Sequence, residues 1–181
     1  MALKATIFKA ELQISNVDRH YYEDHALTIA RHPSETDERM MVRVLAFALH
    51  AHPALAFGKG IGTDDEPDLW QKDLTGAVDL WIDVGQPDDR RLRRACGRAG
   101  RVAVYAYGGH GVDTWWDRVQ PAVQRTANLA VMRVSSAATQ AAARLARRTM
   151  ALHCTIQDGQ CWLGDAEDSV AMELSVLQAF R

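Results

Sequence analysis

At 181 residues, 48% of them hydrophobic and 24% charged, the chain has the composition of a folded domain with a substantial core. A net charge of −2 and a pI near 6.4 exclude a protein that coats nucleic acid through overall basicity, while leaving room for a local basic surface. The three cysteines, Cys96, Cys154 and Cys161, show no CxxC spacing and are expected to be reduced thiols in the cytoplasm.

The first residues, MALKATIFKAELQIS, alternate like a strand and lack a long apolar segment, so no signal peptide is expected. No stretch approaches the length of a membrane span, and no membrane partner is expected either. Residues 3–15 read as a strand, Asn16-Val17-Asp18 as a turn, and HYYEDHALTIARH as a second strand, the two making a hairpin. HPSETDERMMVRVLAFALH is the clearest helix. Ser34 is its expected N-cap, with Asp37 in the capping-box position, and Met40, Met41, Val44, Leu45, Ala48 and Leu49 form its apolar stripe.

ALAFGKGIG then gives a short strand, and PDLWQK and AVDLWIDV two more, joined by a turn from Asp73 to Gly76. PDDRRLRRACGRAG is a helix with acids in its first turn and arginines after, as the helix dipole favours. RVAVYAY is a buried strand. DTWWDRVQPAVQRTAN is a helix with Pro121 as a kink or break, and Trp115-Trp116 on it reads as core or interface. LAVMRVS is a strand, SSAATQAAARLARR a helix begun by Ser135 or Ser136, and the tail carries a hairpin at Asp158-Gly159 and a last strand. The expectation is one mixed α/β domain over residues 1–181, with a core at about 33–135 and a smaller β layer from 1–32 and 149–181.

The stretch DDEPDLWQKDLTGAVDLWIDVG, residues 64–85, holds seven acids, of which Asp79 and Asp83 interrupt an apolar run. A carboxylate there costs free energy unless it is solvated, paired, protonated or bound to metal. By strand alternation Val78, Leu80, Ile82 and Val84 face one side, and Asp79, Trp81, Asp83 and Gly85 the other. Closing the hairpin at Asp73 to Gly76 sets Lys72 opposite Ala77, Trp70 opposite Asp79 and Asp68 opposite Trp81, making Asp68 and Asp83 diagonal neighbours on one face. Two readings stay open: a solvated outer face, or a site for Mg2+ or Mn2+ held by oxygen ligands. Glu38, on the core-facing stripe of the first helix, could add a third carboxylate, while Glu35 reads as a helix N-terminal charge.

Glu38 on a helix, Pro67-Asp68, then Asp83-Val84-Gly85 across a hairpin resembles the αβββαβ core of the PD-(D/E)XK nuclease-like superfamily. ARHPSETDERMM, DDEPDLW, GAVDLWIDVGQPDDRRLRRA and TIQDGQCWL resemble the bacterial YaeQ family from end to end, described as a variant of that restriction-endonuclease-like fold. The resemblance implies a metal-dependent nuclease-like protein in which Asp68 and Asp83, helped by Glu38 and the Val84 carbonyl, hold Mg2+ or Mn2+ against a phosphodiester. Where the motif has its lysine this chain has Gly85. Lys59 and Arg91 are the candidates to replace it. The alternative is a non-catalytic nucleic-acid- or protein-binding regulatory protein that keeps the fold.

The run RRLRRACGRAGR supplies Arg90 and Arg94 as candidate phosphate contacts beside Arg91, Arg93, Arg98 and Arg101, against the reading of a solvated helix face. Arg144, Arg147 and Arg148 form a second cluster with the same two readings. His50, His52 and His110 have no zinc spacing. GKGIG and YGGHG read as turns, and the oligomeric state is not encoded in any visible pattern.

Overall fold

A computed structural model of the chain describes residues 4–59, 61 and 65–181. In chain order the elements are β1 (Thr6–Asn16), β2 (Tyr21–Arg31), α1 (Asp37–Leu49), β3 (Leu55–Phe57), β4 (Leu69–Lys72), β5 (Val78–Val84) and α2 (Asp89–Arg98). They continue with β6 (Ala99–Ala106), α3 (His110–Val123), β7 (Leu129–Val134), α4 (Ser136–Ala143), β8 (Thr149–Gln157), β9 (Gln160–Gly164), β10 (Ser169–Ala171) and β11 (Leu174–Gln178). The fold is mixed α/β with two mixed sheets. Among the described residues no helix is long and apolar enough to cross a membrane.

The chain divides into two compact units, one of Met1–Leu49 with Ala137–Glu173, the other of His50–Ser136 with Leu174–Arg181. The expected core therefore loses its first helix, because α1 belongs with the strands of the chain ends. The segment expected wholly in the smaller layer is also split, since β11 pairs with β7 in the other sheet. Its Gln178 amide donates to the carbonyls of Val123, Thr126 and Leu129 at 3.2–3.4 Å, which fixes it there.

In the first unit the sheet order is β10-β9-β8-β1-β2, with β1 and β8 parallel and the other pairs antiparallel. Phe8, Ala10, Leu12 and Ile14 of β1 are buried, as are Met150, Leu152, Cys154 and Ile156 of β8, so each strand alternates between a core face and a wet face. The β8–β9 turn has Asp158 and Gly159 at φ +53° and +74°, and Asp18 accepts both of their backbone N–H groups at 2.7 and 2.9 Å.

Helix α1 starts at Asp37, later than its expected cap. Thr36 Oγ1 accepts the Arg39 N–H at 3.1 Å, whereas the Ser34 hydroxyl is taken up by His32 Nδ1 at 2.6 Å. Every residue from Met40 to Ala48 is buried, Arg43 among them. Glu35 makes that burial tolerable: its carboxylate takes two 2.7 Å hydrogen bonds from Arg43, both side chains being 1% exposed, and a third from Arg39 at 3.1 Å.

In the second unit the sheet order is β11-β7-β6-β5-β4-β3, with β5, β6 and β7 parallel and the flanking strands antiparallel. Trp81, Leu92, Ala95, Val102, Val104, Val112, Trp115, Val119 and Val131 form one core cluster under α2 and α3. Pro121 does not end α3 where it stands: the helix runs on to Val123, and the proline falls in its last turn. Trp115 is core, and its indole N–H donates to the Pro87 carbonyl at 2.6 Å, tying α3 to the loop before α2.

A buried carboxylate pair and its arginine

The seven acids of residues 64–85 separate into different environments. Asp64 lies outside the described residues, as do Gly60 and Gly62 of the GKGIG turn. Asp73 builds the β4–β5 turn, its Oδ1 accepting from Thr75 N–H, Thr75 hydroxyl and Ala77 N–H at 2.6–3.0 Å. These bonds, the Thr75 hydroxyl first, hold its carboxyl below the usual range. Asp79 is exposed and needs no further account.

Asp68 and Asp83 are the buried ones, at 4% and 2% exposure. The ladder pairs Leu69 with Ile82, Trp70 with Trp81 and Gln71 with Leu80, but Lys72 with Val78, so the register shifts between Gln71 and Lys72. A bulge that leaves Asp79 unmatched is the physical reason that the uninterrupted register fails. Lys72 already pairs with Val78 instead of Ala77, one position off, and the bulge adds a second, so from Gln71 back the ladder is displaced by two. Faces are kept, and one further step brings Asp68 level with Asp83 rather than diagonal to it.

Asp68 Oδ2 accepts the Val84 N–H at 2.8 Å, and its own carbonyl accepts the Gly58 N–H at 2.9 Å. Glycine is required at 58, because a Cβ there would lie 2.0 Å from the Pro67 carbonyl oxygen. Asp83 is met by Arg91, whose Nε donates to Oδ2 at 2.7 Å and Nη2 to Oδ1 at 2.9 Å. The same Nη2 donates to the Glu66 carbonyl at 3.0 Å, and the guanidinium lies 5.7 Å from the centre of the Trp81 ring. Asp88 caps α2 by accepting the Arg91 backbone N–H at 2.8 Å, which places Arg91 in the first turn. The Trp81 indole nitrogen is buried and, among the described residues, has no hydrogen-bond partner.

Of the two bases considered for the missing lysine, Arg91 is the one that reaches an acid of the pair. Lys59 turns to Glu66, its backbone N–H donating at 2.9 Å and its Nζ lying 3.9 Å from the carboxylate, with the side chain 75% exposed. Glu38 belongs to the other unit, where its Oε2 accepts the Thr139 hydroxyl at 3.0 Å. Gly85 stands at φ +98° just past the end of β5, its N–H bonded to Tyr105 O at 2.9 Å. Gly85 therefore holds a backbone conformation that side-chain-bearing residues rarely adopt.

These residues can be tested against a divalent cation. Both oxygens of Asp83 are engaged by a guanidinium, and one oxygen of Asp68 by a backbone N–H. Among the described residues no group of three or more His, Cys, Asp or Glu is placed to hold a metal ion. As arranged, Asp83 does not fit Mg2+ or Mn2+: both of its oxygens are already taken by a guanidinium of the chain itself. The histidines do not converge on a zinc site either. His50 Nε2 and the Tyr105 hydroxyl are 2.5 Å apart, and His52 Nδ1 accepts the Ala54 N–H at 3.0 Å.

On α2 the arginines divide by partner. Arg91 answers Asp83, Arg93 answers Asp89 at 2.8 Å, and Arg98 reaches the Asp65 carbonyl at 3.4 Å. Arg90 and Arg94 are exposed and, among the described residues, meet no acid. With Asp88 and Arg91 they line a surface depression of about 200 Å3.

Comparison with known proteins follows the same chain from end to end. The family model described as YaeQ protein matches residues 1–174. The uncharacterized protein YaeQ of Salmonella typhi is 43% identical over 178 residues, 98% of either chain, and that of Escherichia coli K12 is 42% identical with the same coverage. The crystal structure of the YaeQ protein from Xanthomonas axonopodis pv. citri superposes with a TM-score of 0.93 at 51% identity, covering 97% of this chain and 99% of that one. The YaeQ protein from Pseudomonas syringae gives 0.93 at 37% identity, with 97% of each chain covered. The chain belongs to the YaeQ family.

Proposed function

We propose that this protein is a non-catalytic nucleic-acid-binding protein on a nuclease-like scaffold of the PD-(D/E)XK kind. The chain order α1-β3-β4-β5-α2-β6 supports the scaffold. The observation that carries the functional reading is the engagement of both Asp83 oxygens by Arg91. Hydrolysis assisted by a divalent ion needs open carboxylate oxygens, and here they are occupied. Matching Asp83 with a guanidinium also reduces a repulsion that phosphates would otherwise meet at the start of α2, where the exposed Arg90 and Arg94 meet no acid among the described residues.

The test is fluorescence anisotropy with labelled single- and double-stranded oligonucleotides over a salt series. Two arginine–phosphate contacts on duplex correspond to a slope of about −1.8 in log K against log salt. Arg90→Ala/Arg94→Ala removes most of that slope, while Asp68→Ala leaves binding in place. Binding unchanged in the arginine double variant would sink the reading.

The second reading is a phosphodiester hydrolase dependent on Mg2+ or Mn2+, favoured by Asp68 and Asp83 lying level on neighbouring strands. Cleavage of the same oligonucleotides with either ion, lost in both Asp68→Ala and Asp83→Ala, would put it first.

A further inference from the structure

We propose that two copies of this chain pair along β2, antiparallel about a two-fold axis at Ala26, so that their five-stranded sheets run on as one. This stands apart from the nucleic-acid reading and is tested by a different measurement.

The outer strands of the two sheets are unequal. β3 and β10 are three residues long, and β11 has five residues with a register shift. Short and bulged strands are the common protection of a sheet edge. β2 runs for eleven residues in continuous register with β1, without a bulge, a proline or a lysine.

Its backbone is open on the outer side. Lys9 and Val17 donate their N–H groups to Arg148 and Ile156 at 2.9 and 2.8 Å, so the odd-numbered residues of β1 turn to β8 and the even-numbered ones to β2. Ile14 lies opposite Glu23, so β2 answers with its odd-numbered residues. Tyr22, Asp24, Ala26, Thr28 and Ala30 therefore turn their N–H and C=O groups outward. The Ala30 carbonyl accepts from Arg43 Nη2 at 3.1 Å; among the described residues no hydrogen bond reaches the backbone of the other four from that side.

The sequence of β2 complements itself in reverse. With Ala26 on the axis all of Tyr21–Arg31 overlaps, and every outward-turned residue meets an outward-turned residue of the second copy. Asp24 then lies opposite Thr28, whose hydroxyl is a donor for its carboxylate. Glu23 lies diagonal to Arg31, which also pairs with Asp37, so the acidic end of each strand meets the basic end of the other. Tyr22 falls opposite Ala30, whose neighbour on β1 is Ile7. Tyr22 and Ile7, 56% and 44% exposed in the single chain, come together in one row across the shared face.

The experiment is sedimentation velocity of the full chain and of Ala26→Pro across the micromolar range, with oxidative cross-linking of Ala26→Cys and Thr28→Cys followed on non-reducing gels. The native protein is expected at twice its 20.1 kDa. Ala26→Pro loses an N–H that β1 does not use, and is expected at 20.1 kDa with the native far-ultraviolet circular dichroism. Position 26 faces its own copy with Cα atoms about 5.5 Å apart, within disulfide range, so Ala26→Cys cross-links. Thr28→Cys faces Asp24 and does not. A native protein that stays at 20.1 kDa throughout that range overturns the inference. So does a dimer in which Ala26→Cys fails to cross-link, because another surface then joins it; this readout holds even where Ala26→Pro fails to fold.

Discussion

Replacing Gly85 by alanine tests the backbone just past the end of β5. A Cβ at Gly85 meets nothing within 4 Å, so the substitution brings no clash. What remains is the backbone, at φ +98°, a region that side-chain-bearing residues enter at a cost of about 1–2 kcal/mol. Gly97, inside α2, is the matched control: it too has open space, without a positive φ. There alanine removes a helix-interior glycine and is expected to stabilise by about 0.5–1 kcal/mol. For a chain of this size each kcal/mol moves the thermal midpoint by about 2–4 °C, so Gly85→Ala should melt roughly 2–8 °C lower and Gly97→Ala roughly 1–4 °C higher. Thermal unfolding followed by far-ultraviolet circular dichroism measures both. A neutral or stabilising Gly85→Ala would refute the argument.

Three further outcomes follow from features described above. Glu35→Ala strands a buried Arg43 and should cost about 3–5 kcal/mol, whereas Glu35→Leu/Arg43→Met removes both charges and should cost less; urea unfolding of the two variants decides, and equal costs would contradict the account. The carboxyls of Asp73, Asp113 and Asp165 are held below their ordinary 3.8, chiefly by the Thr75 hydroxyl, by Arg133, and by the Asp168 N–H respectively. Depressed acids contribute stability that is present above the ordinary value and lost as pH falls through the lower folded value, so Asp73→Asn should narrow the difference in urea midpoint between about pH 5 and about pH 2.5. The Cys96 thiol is pushed up to about 11 by burial, and Cys154 is raised by its hydrogen bond to Cys161, 3.5 Å away, and by burial. A thiol reagent near pH 8 should therefore label the native protein slowly and all three cysteines after denaturation; rapid native labelling would count against the buried placement.

Much of the fold was readable because periodicity and turn chemistry act locally. The β1–β2 hairpin, the Asp158-Gly159 turn and the strands β5, β6 and β7 with the two helices between them all declare themselves in alternation, helical stripes or turn residues. What escaped depends on partners distant in sequence. The Asp79 bulge leaves no mark in AVDLWIDVG, yet it decides which residues face Asp68. Ser34 and Thr36 are both capable caps, and only the capture of Ser34 by His32 decides between them. Glu35 looked like a charge for the helix dipole because Arg43 sits within an apolar stripe, where a buried arginine is not expected. The arginines of α2 were visible as a run, but which were already spent on Asp83 and Asp89, leaving Arg90 and Arg94, required the packing of the helix on the sheet.

The interleaving of the two units bears on how the protein is made. The strand β1 leaves the ribosome early, but its parallel neighbour β8 comes at the far end of the chain, and Asp18 closes a turn 140 positions later. At synthesis rates of about 5–20 residues per second, β1 waits on the order of ten seconds or more for that neighbour. The other unit is delayed in turn, since the edge of β7 is covered only when β11, which follows every other strand in chain order, arrives. Neither unit can be completed from a nascent fragment, so shortening the chain from the C-terminus should leave both sheets unfinished at once, and the hairpin of β1 and β2 must remain soluble without its partner throughout that interval.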